Sequence, residues 1–397
     1  MDRIVVTGMG VISAIGHSVD ENHAALVNGK TGIIKGGGNF PSRYSGILPF
    51  GEVLIGTEEL KTKLGVTEPG VTRTTLLALH AFNEAIADAK LTQNQLTAAD
   101  TALVGATTVG GMCLTDELYA NTHGDAENIE YVKSFDYASV NLYIQTRYGI
   151  TGVINTMNTA CSSSANAIMY GCRLIKSGLA NRVIVGGADS LAKFTVNGFN
   201  ALRILSDEAC TPFDQNRKGL NLGEGAAFLV LEKEADVADK KIYAEVSGYG
   251  NANDAYHPSS LSPEGDGPYL AMKNALDSAG LKPVDIDFIN AHGTGTENND
   301  EVESRAMLRL FNALPDFAST KGFTGHVLGA ASAIEAVYSV LNIDRQELYP
   351  NLNFKEPISG IGLQPVQAHS VAAIKHVMSN SFGFGGNCTS LIFSKVQ

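Results

Sequence analysis

Short runs of consecutive apolar residues alternate with stretches in which apolar positions recur every three or four, predicting strands interleaved with helices. Residues 4–6 (Ile-Val-Val) read as a short buried strand followed by a glycine-rich turn. Residues 74–89 place Leu76, Leu77, Leu79, Ala81, Phe82 and Ile86 at helical spacing, as on a helix packed against a sheet. Residues 102–106, 183–185 and 226–231 have strand length, and 202–225, with Pro212, Asp214, Gly219, Gly223 and Gly225, reads as loop. After a charged stretch at 232–241 the pattern restarts: strands at 242–246 and 286–290, helices at 268–279 and 301–311, a helix at 327–341, and a closing apolar run at 390–393. Two successive β/α stretches predict an α/β architecture in two halves, 1–245 and 246–397, around a mainly parallel sheet.

Composition narrows the function classes. Hydrophobic residues are 44% and charged residues 18% of 397, with 42 glycines, which suits a globular enzyme with buried strands and many tight turns. A net charge of −12 argues against nonspecific nucleic-acid binding, so an anionic partner needs a local basic patch. The cysteines at 113, 161, 172, 210 and 388 are odd in number and form no C-x-x-C pair, which predicts neither a disulfide framework nor a zinc site. Asp2 stands where a signal peptide would be basic, and no apolar run approaches the roughly 20 residues of a membrane helix, so a soluble cytoplasmic protein is expected. Gly8-Met9-Gly10 superficially resembles a dinucleotide fingerprint, but Ser13 replaces the third glycine; a strand end with a tight turn is the plainer account.

Chemistry gathers at three places. Cys161, in Asn158-Thr159-Ala160-Cys161-Ser162-Ser163, precedes apolar residues at helical spacing. A thiol at a helix N-terminus has its thiolate stabilised there, lowering its pKa from about 8.5, and the N–H groups can receive an oxyanion. Cys172, inside the helix, reads as packing. His292 (Ala291-His292-Gly293-Thr294-Gly295-Thr296) and His326 (Gly325-His326-Val327-Leu328-Gly329) each sit beside glycine, with Lys321 before His326 and Glu335 after it. A lysine beside an imidazole favours the neutral ring, which can donate from Nε2 to an enolate; a surface lysine and a capping loop are the plainer alternative. His17, His23, His80, His123, His257, His369 and His376 read as ordinary surface or core residues. Asn380-Ser381-Phe382-Gly383-Phe384-Gly385-Gly386-Asn387 is a glycine hinge carrying a mobile aromatic, or else a tight turn with two core rings.

Together these segments, with Val5-Val6-Thr7-Gly8-Met9-Gly10, Gly186-Gly187-Ala188-Asp189, Pro212-Phe213-Asp214 and Gly223-Glu224-Gly225-Ala226, resemble the β-ketoacyl-[acyl-carrier-protein] synthases of the thiolase superfamily over nearly the whole chain. The resemblance implies a thiolase-like fold, two similar halves forming a layered αβαβα core, in a homodimer. It implies that Cys161 accepts an acyl chain from a carrier-protein phosphopantetheine, with no tightly bound cofactor and no metal. His292 and His326 would hold malonyl-carrier, promote its decarboxylation and stabilise the enolate. Cys161 and Phe384 N–H groups would form an oxyanion hole, Lys321 would tune His326, and Glu335 would support the network. Thr294 and Thr296 match pantetheine-binding positions, Phe384 a gating aromatic, and Phe199 an acyl-pocket residue; Phe382 is placed with them in the substrate site. Arg203 matches a docking position for the acidic acyl carrier protein, and Lys61 and Lys63 are candidates by local charge. Arg217-Lys218-Gly219-Leu220 and Glu297-Asn298-Asn299-Asp300 depart from the family pattern, which leaves chain length and pathway open between type II fatty-acid elongation and a polyketide or aryl polyene route. A stand-alone enzyme is expected. The alternatives are a thiolase using Cys388 as its second cysteine, a non-catalytic chain-length subunit and a plain carrier-binding module.

Overall fold

The computed structural model describes residues 3–114, 134–237 and 239–396; His123 lies outside them. Its first strand, β1 (Ile4–Ser13), continues through Gly8 and Gly10, with a register shift between Val6 and Gly8. No turn forms there, because the glycines let a helix lie directly on the strand. A Cβ at Gly8 would stand 2.5 Å from the Ala85 carbonyl oxygen, and one at Gly10 would stand 2.1 Å from that of Ala81. That helix is α1 (Arg73–Asp88). The remaining core elements of the first half are β2 (Thr101–Ala106), α2 (Ser139–Tyr148), β3 (Ile154–Met157), α3 (Ser163–Lys176), β4 (Arg182–Asp189), α4 (Lys193–Ala201) and β5 (Gly225–Lys233). The second half runs through β6 (Ala244–Asn253), α5 (Asp266–Ala279), β7 (Phe288–Asn290), α6 (Glu297–Leu310), β8 (Asp316–Ala318), α7 (Ala331–Arg345), β9 (His376–Phe382) and β10 (Asn387–Ser394).

The strands pair as β1-β5-β4-β2-β3 in one half and β6-β10-β9-β7-β8 in the other, the same order twice. Pairing of Val5 with Glu245 and Val6 with Ala244 joins the halves into one ten-stranded sheet. Strand directions repeat as well: the first two pairs of each half are antiparallel and the last two parallel. The sheet is therefore mixed, which corrects the expectation of a mainly parallel one. β9 and β10 form a hairpin with no crossover helix, and the loop-rich stretch after α4 brings β5 back antiparallel to β4. The helix contact repeats too: Cβ atoms at Gly248 and Gly250 would lie 2.5 and 2.2 Å from the Ala275 and Ala271 carbonyl oxygens of α5.

Both faces of the sheet are covered. Along β4, Val183 and Val185 face a central cluster and Ile184 an outer one. α3 and α7 lie between the half-sheets, α1 and α2 cover one outer face, and α5 and α6 the other. The result is the layered αβαβα arrangement of a thiolase-like fold. In α7 every residue from Ala331 to Ile343 is buried, as a helix enclosed on all sides requires.

Candidate active site

Cys161 lies between β3 and α3. Ala160 before it has φ +54°, a left-handed conformation that is strained for a residue with a Cβ. This bend delivers Cys161 to the start of α3, with Ser162 at the N-cap. The leading ends of α3 and α7 meet here through crossed serine caps. Ser164 Oγ accepts from Ala333 N (2.8 Å), Ser332 Oγ accepts from Ala165 N (3.0 Å), and the Ser332 hydroxyl donates to Cys161 O (3.2 Å). Asn387 Oδ1 accepts from Ser162 Oγ, Asn166 Nδ2 and Asn251 Nδ2 at 2.8, 2.8 and 3.0 Å, tying the nucleophile loop to the start of β10. Gly383 fits against the same loop: a Cβ there would meet Thr159 O at 2.7 Å.

Cys161 is only 6% exposed. Burial pushes its thiol up to about 11, although the Lys321 charge and the Phe384 N–H, which reaches the sulfur, pull it down. The expectation of a lowered thiol is thus corrected. Desolvation of the thiolate outweighs what the helix terminus supplies, and the resting sulfur is protonated at neutral pH.

The histidines come from loops of the second half. His292 follows β7, and its N–H and that of Gly293 donate to the buried Glu303 carboxylate of α6, each at 2.8 Å. Asp300, one turn earlier, accepts from Gly295 N and Phe213 N. Burial lifts Glu303 to about 7 despite those donors. His326 is anchored by its own N–H to Asn221 O (2.7 Å), and Asp189 at the end of β4 accepts from Gly329 N (2.7 Å) beyond it.

Lys321 makes its contacts with His292, not with His326. Its Nζ donates to His292 O (2.5 Å) and Glu335 Oε1 (2.5 Å) and lies 3.2 Å from His292 Nδ1. It acts on His326 through charge alone. Burial first, then the Lys321 charge, hold both imidazoles well below their usual range, so both rings are neutral. His326 Nδ1 accepts from Leu328 N (3.0 Å), and His292 Nδ1 faces an ammonium. These partners assign the ring proton to Nε2 in each case. The rings stand 5.4 Å apart at 85°, and the Cys161 sulfur and one nitrogen of each ring lie within 4.8 Å of one another.

That spacing alone would admit a metal, but the surroundings do not suit one. A ligating histidine normally donates its second ring nitrogen to an acceptor, and here both second nitrogens face donors.

A cavity of about 420 Å³ opens from Cys161, His292 and His326 past Phe382, Phe384, Phe199, Thr294 and Thr296 to Arg203 at the surface. Thr294 and Thr296 share a hydrogen bond (2.8 Å). Phe384 stacks on Phe199 with ring centres 5.8 Å apart, while Phe382 is buried against His292 at 5.9 Å.

Residues 1–237 match the family model described as beta-ketoacyl synthase, N-terminal domain, and residues 243–355 match its C-terminal domain. The chain belongs to the β-ketoacyl synthase family. As a ketosynthase it is an acyltransferase. The synthase is 37% identical, over 100% of its length and 99% of the relative's, to the Putative 3-oxoacyl-[acyl-carrier-protein] synthase, mitochondrial, of Schizosaccharomyces pombe. Among solved structures it resembles the ishigamide ketosynthase/chain length factor (31% identity, TM-score 0.90, 100% of both chains). It also resembles a type II PKS acyl-carrier protein in complex with its ketosynthase bound to the hexaketide (29% identity, TM-score 0.89, 100% of both chains).

All the site residues singled out in the synthase sequence meet at this cavity or, for Lys321 and Glu335, directly behind it. Lys61 and Lys63 do not line it; they pair with Glu58 and Glu59 on their own helix. Cys388 is buried in β10, with its sulfur 3.5 Å from Gly386 O and outside the cavity lining, and gives no support to a two-cysteine thiolase site. Burial holds Cys172 near 12, as packing implies. No other described histidine lines the cavity. Asp300, Glu303 and Asn387 were missed as site residues. The i,i+3 spacing of Asp300 and Glu303 just after the His292 loop was the available signal. Among the described residues, no helix is long and apolar enough to cross a membrane.

Proposed function

We propose that the synthase condenses an acyl group held on Cys161 with malonyl-[acyl-carrier-protein], with loss of carbon dioxide. The product is a β-ketoacyl-carrier two carbons longer, made in type II fatty-acid elongation. The observation that carries this is one thiol and two neutral imidazoles, with sulfur and nitrogens within 4.8 Å, at the floor of one cavity.

The first step is acyl transfer. The Cys161 sulfur attacks the carrier-bound thioester carbonyl, and the N–H groups of Cys161 and Phe384 receive the oxyanion. The bond to the pantetheine sulfur then breaks and the thiol proton leaves with it, so no charge is stranded in a site that penalises charge. In the second step His292 and His326 donate from Nε2 to the malonyl thioester oxygen. Carbon dioxide departs, its bonding pair stays as an enolate, and the enolate carbon attacks the Cys161 thioester. The carbon–sulfur bond breaks and Cys161 recovers a proton from water. Lys321, fixed by Glu335, keeps the rings neutral, Thr294 and Thr296 hold the pantetheine arm, and Phe199, Phe382 and Phe384 shape the acyl path.

The acyl carrier protein is the partner, docking at Arg203, and its phosphopantetheine belongs to the substrate; no resident cofactor is needed. β3 ends the sheet, an edge suited to pairing with a second copy in a homodimer. Unpaired thiols throughout the described residues favour the cytoplasm. A second reading, a type II polyketide ketosynthase working with a chain-length factor, is favoured by the solved structures above. A non-catalytic subunit would have no use for the intact trio.

Incubation with carriers bearing saturated or polyketide chains, followed by intact-mass measurement, tests both readings. A Cys161 adduct from saturated chains and a product two carbons longer are expected, and neither should form with Cys161→Ala. Selective acylation by polyketide chains transfers the synthase to the second reading, and condensation by Cys161→Ala ends both.

A further inference from the structure

Asn298, in the first turn of α6, closes on a single residue of a neighbouring segment. Its Oδ1 accepts from Leu261 N (2.8 Å) and its Nδ2 donates to Leu261 O (3.3 Å). The buried Leu261 ends the segment that leaves β6, and that segment is bonded to the Phe384 turn at two points, with Asn253 at the end of β6 adding a third. Gly385 N donates to Pro258 O (2.8 Å), Asp254 N to Gly386 O (2.8 Å), and Asn253 Nδ2 to Gly385 O (3.3 Å). On its other side α6 carries Glu303, which holds the main chain of His292. One helix is thus the footing for His292 directly and, through Asn298, for the turn that presents the Phe384 N–H.

The two catalytic steps draw on these footings unequally. Acyl transfer needs the Phe384 N–H at the thioester oxygen. Decarboxylation needs the two rings, which Glu303, Lys321 and Leu328 hold without Asn298. We infer that Asn298 is a positioning residue for acyl transfer, fixing the Phe384 N–H beside Cys161 through the 254–261 segment. The inference rests on the function proposed above for the identity of the two steps. Asn298 lines the cavity as well, but it makes no hydrogen bond to the sulfur or to either ring.

The test compares Asn298→Leu and Asn298→Asp with the wild type in two assays: the rate of Cys161 acylation by intact mass, and carbon dioxide release from malonyl-carrier without an acyl donor. Leucine should slow acylation about tenfold, since small misplacements of such a donor cost rate steeply, and leave decarboxylation within about twofold. Aspartate still accepts from Leu261 N and should recover part of the acylation rate. A general loosening of the fold would lower both steps together, and that result, or unchanged acylation, overturns the proposal. If leucine prevents folding, the aspartate variant decides by the same split between steps. A wild-type chain that neither acylates nor releases carbon dioxide would instead remove the underlying function, before any variant is made.

Discussion

Lys321 shapes the chemistry of the synthase without standing between sulfur and substrate. Its ammonium, paired with Glu335, lies 3.2 Å from His292 Nδ1, and with burial it keeps both imidazoles uncharged. At pH 6, nitrogen NMR of labelled histidine should therefore show two neutral rings protonated at Nε2, and a charged ring at either position would contradict the assignment. The sign extends to stability. The unfolded chain binds protons below about pH 6.5 that the folded rings refuse, so His292 and His326 withdraw stability as pH falls. The nucleophile and both histidines were legible in the sequence because small residues surround Cys161 and glycines flank His292 and His326. The raised thiol and the true partner of Lys321 were not. Both depend on how deeply the chain folds around the site, and sequence spacing carries no measure of depth.

Close contact between glycine-bearing strands and outer helices is what repeats at the level of elements. Gly250→Val should destabilise the synthase by about 1–3 kcal/mol or more, because the first added carbon already meets the Ala271 carbonyl at 2.2 Å. Thermal unfolding would register the loss, and an unchanged midpoint would mean that α5 can lift away at no cost. Helices α1, α3, α5, α6 and α7 were visible in their helical spacing, whereas α2 and α4 drew no reading and β1 was read at its first three residues only. β3, β8 and β9 were not visible, each for its own reason. Ile154–Met157 is a half-buried edge strand of mixed character, and Asp316–Ala318 is three residues long. His376–Phe382 buries Ser379, Asn380 and Ser381 behind the site, so its polar residues resembled a loop. Of these, Asn380 donates to Glu303 (3.4 Å), the carboxylate that holds the His292 main chain.

For the molecule as a whole, the acidic carrier proposed above would approach an enzyme carrying −12, so attraction has to be local. Arg203 stands exposed at the cavity rim, whereas Lys61 and Lys63 are already answered by glutamates. Arg203→Glu should raise KM for carrier-bound substrates severalfold and leave turnover of a small thioester mimic nearly unchanged; equal loss on both substrates would place Arg203 inside the tunnel chemistry instead. The two-half plan was readable from the restart of the pattern. The direction of the final strand in each half was not, since a hairpin and a crossover leave similar apolar runs.

The crossed serines at the heads of α3 and α7 carry one more consequence. With each hydroxyl seated on the other helix's opening turn, an axial slip of either rod is handed to its twin. The thiol at the head of α3 and the His326 ring just ahead of α7 are thereby kept at one spacing, whichever rod is pushed.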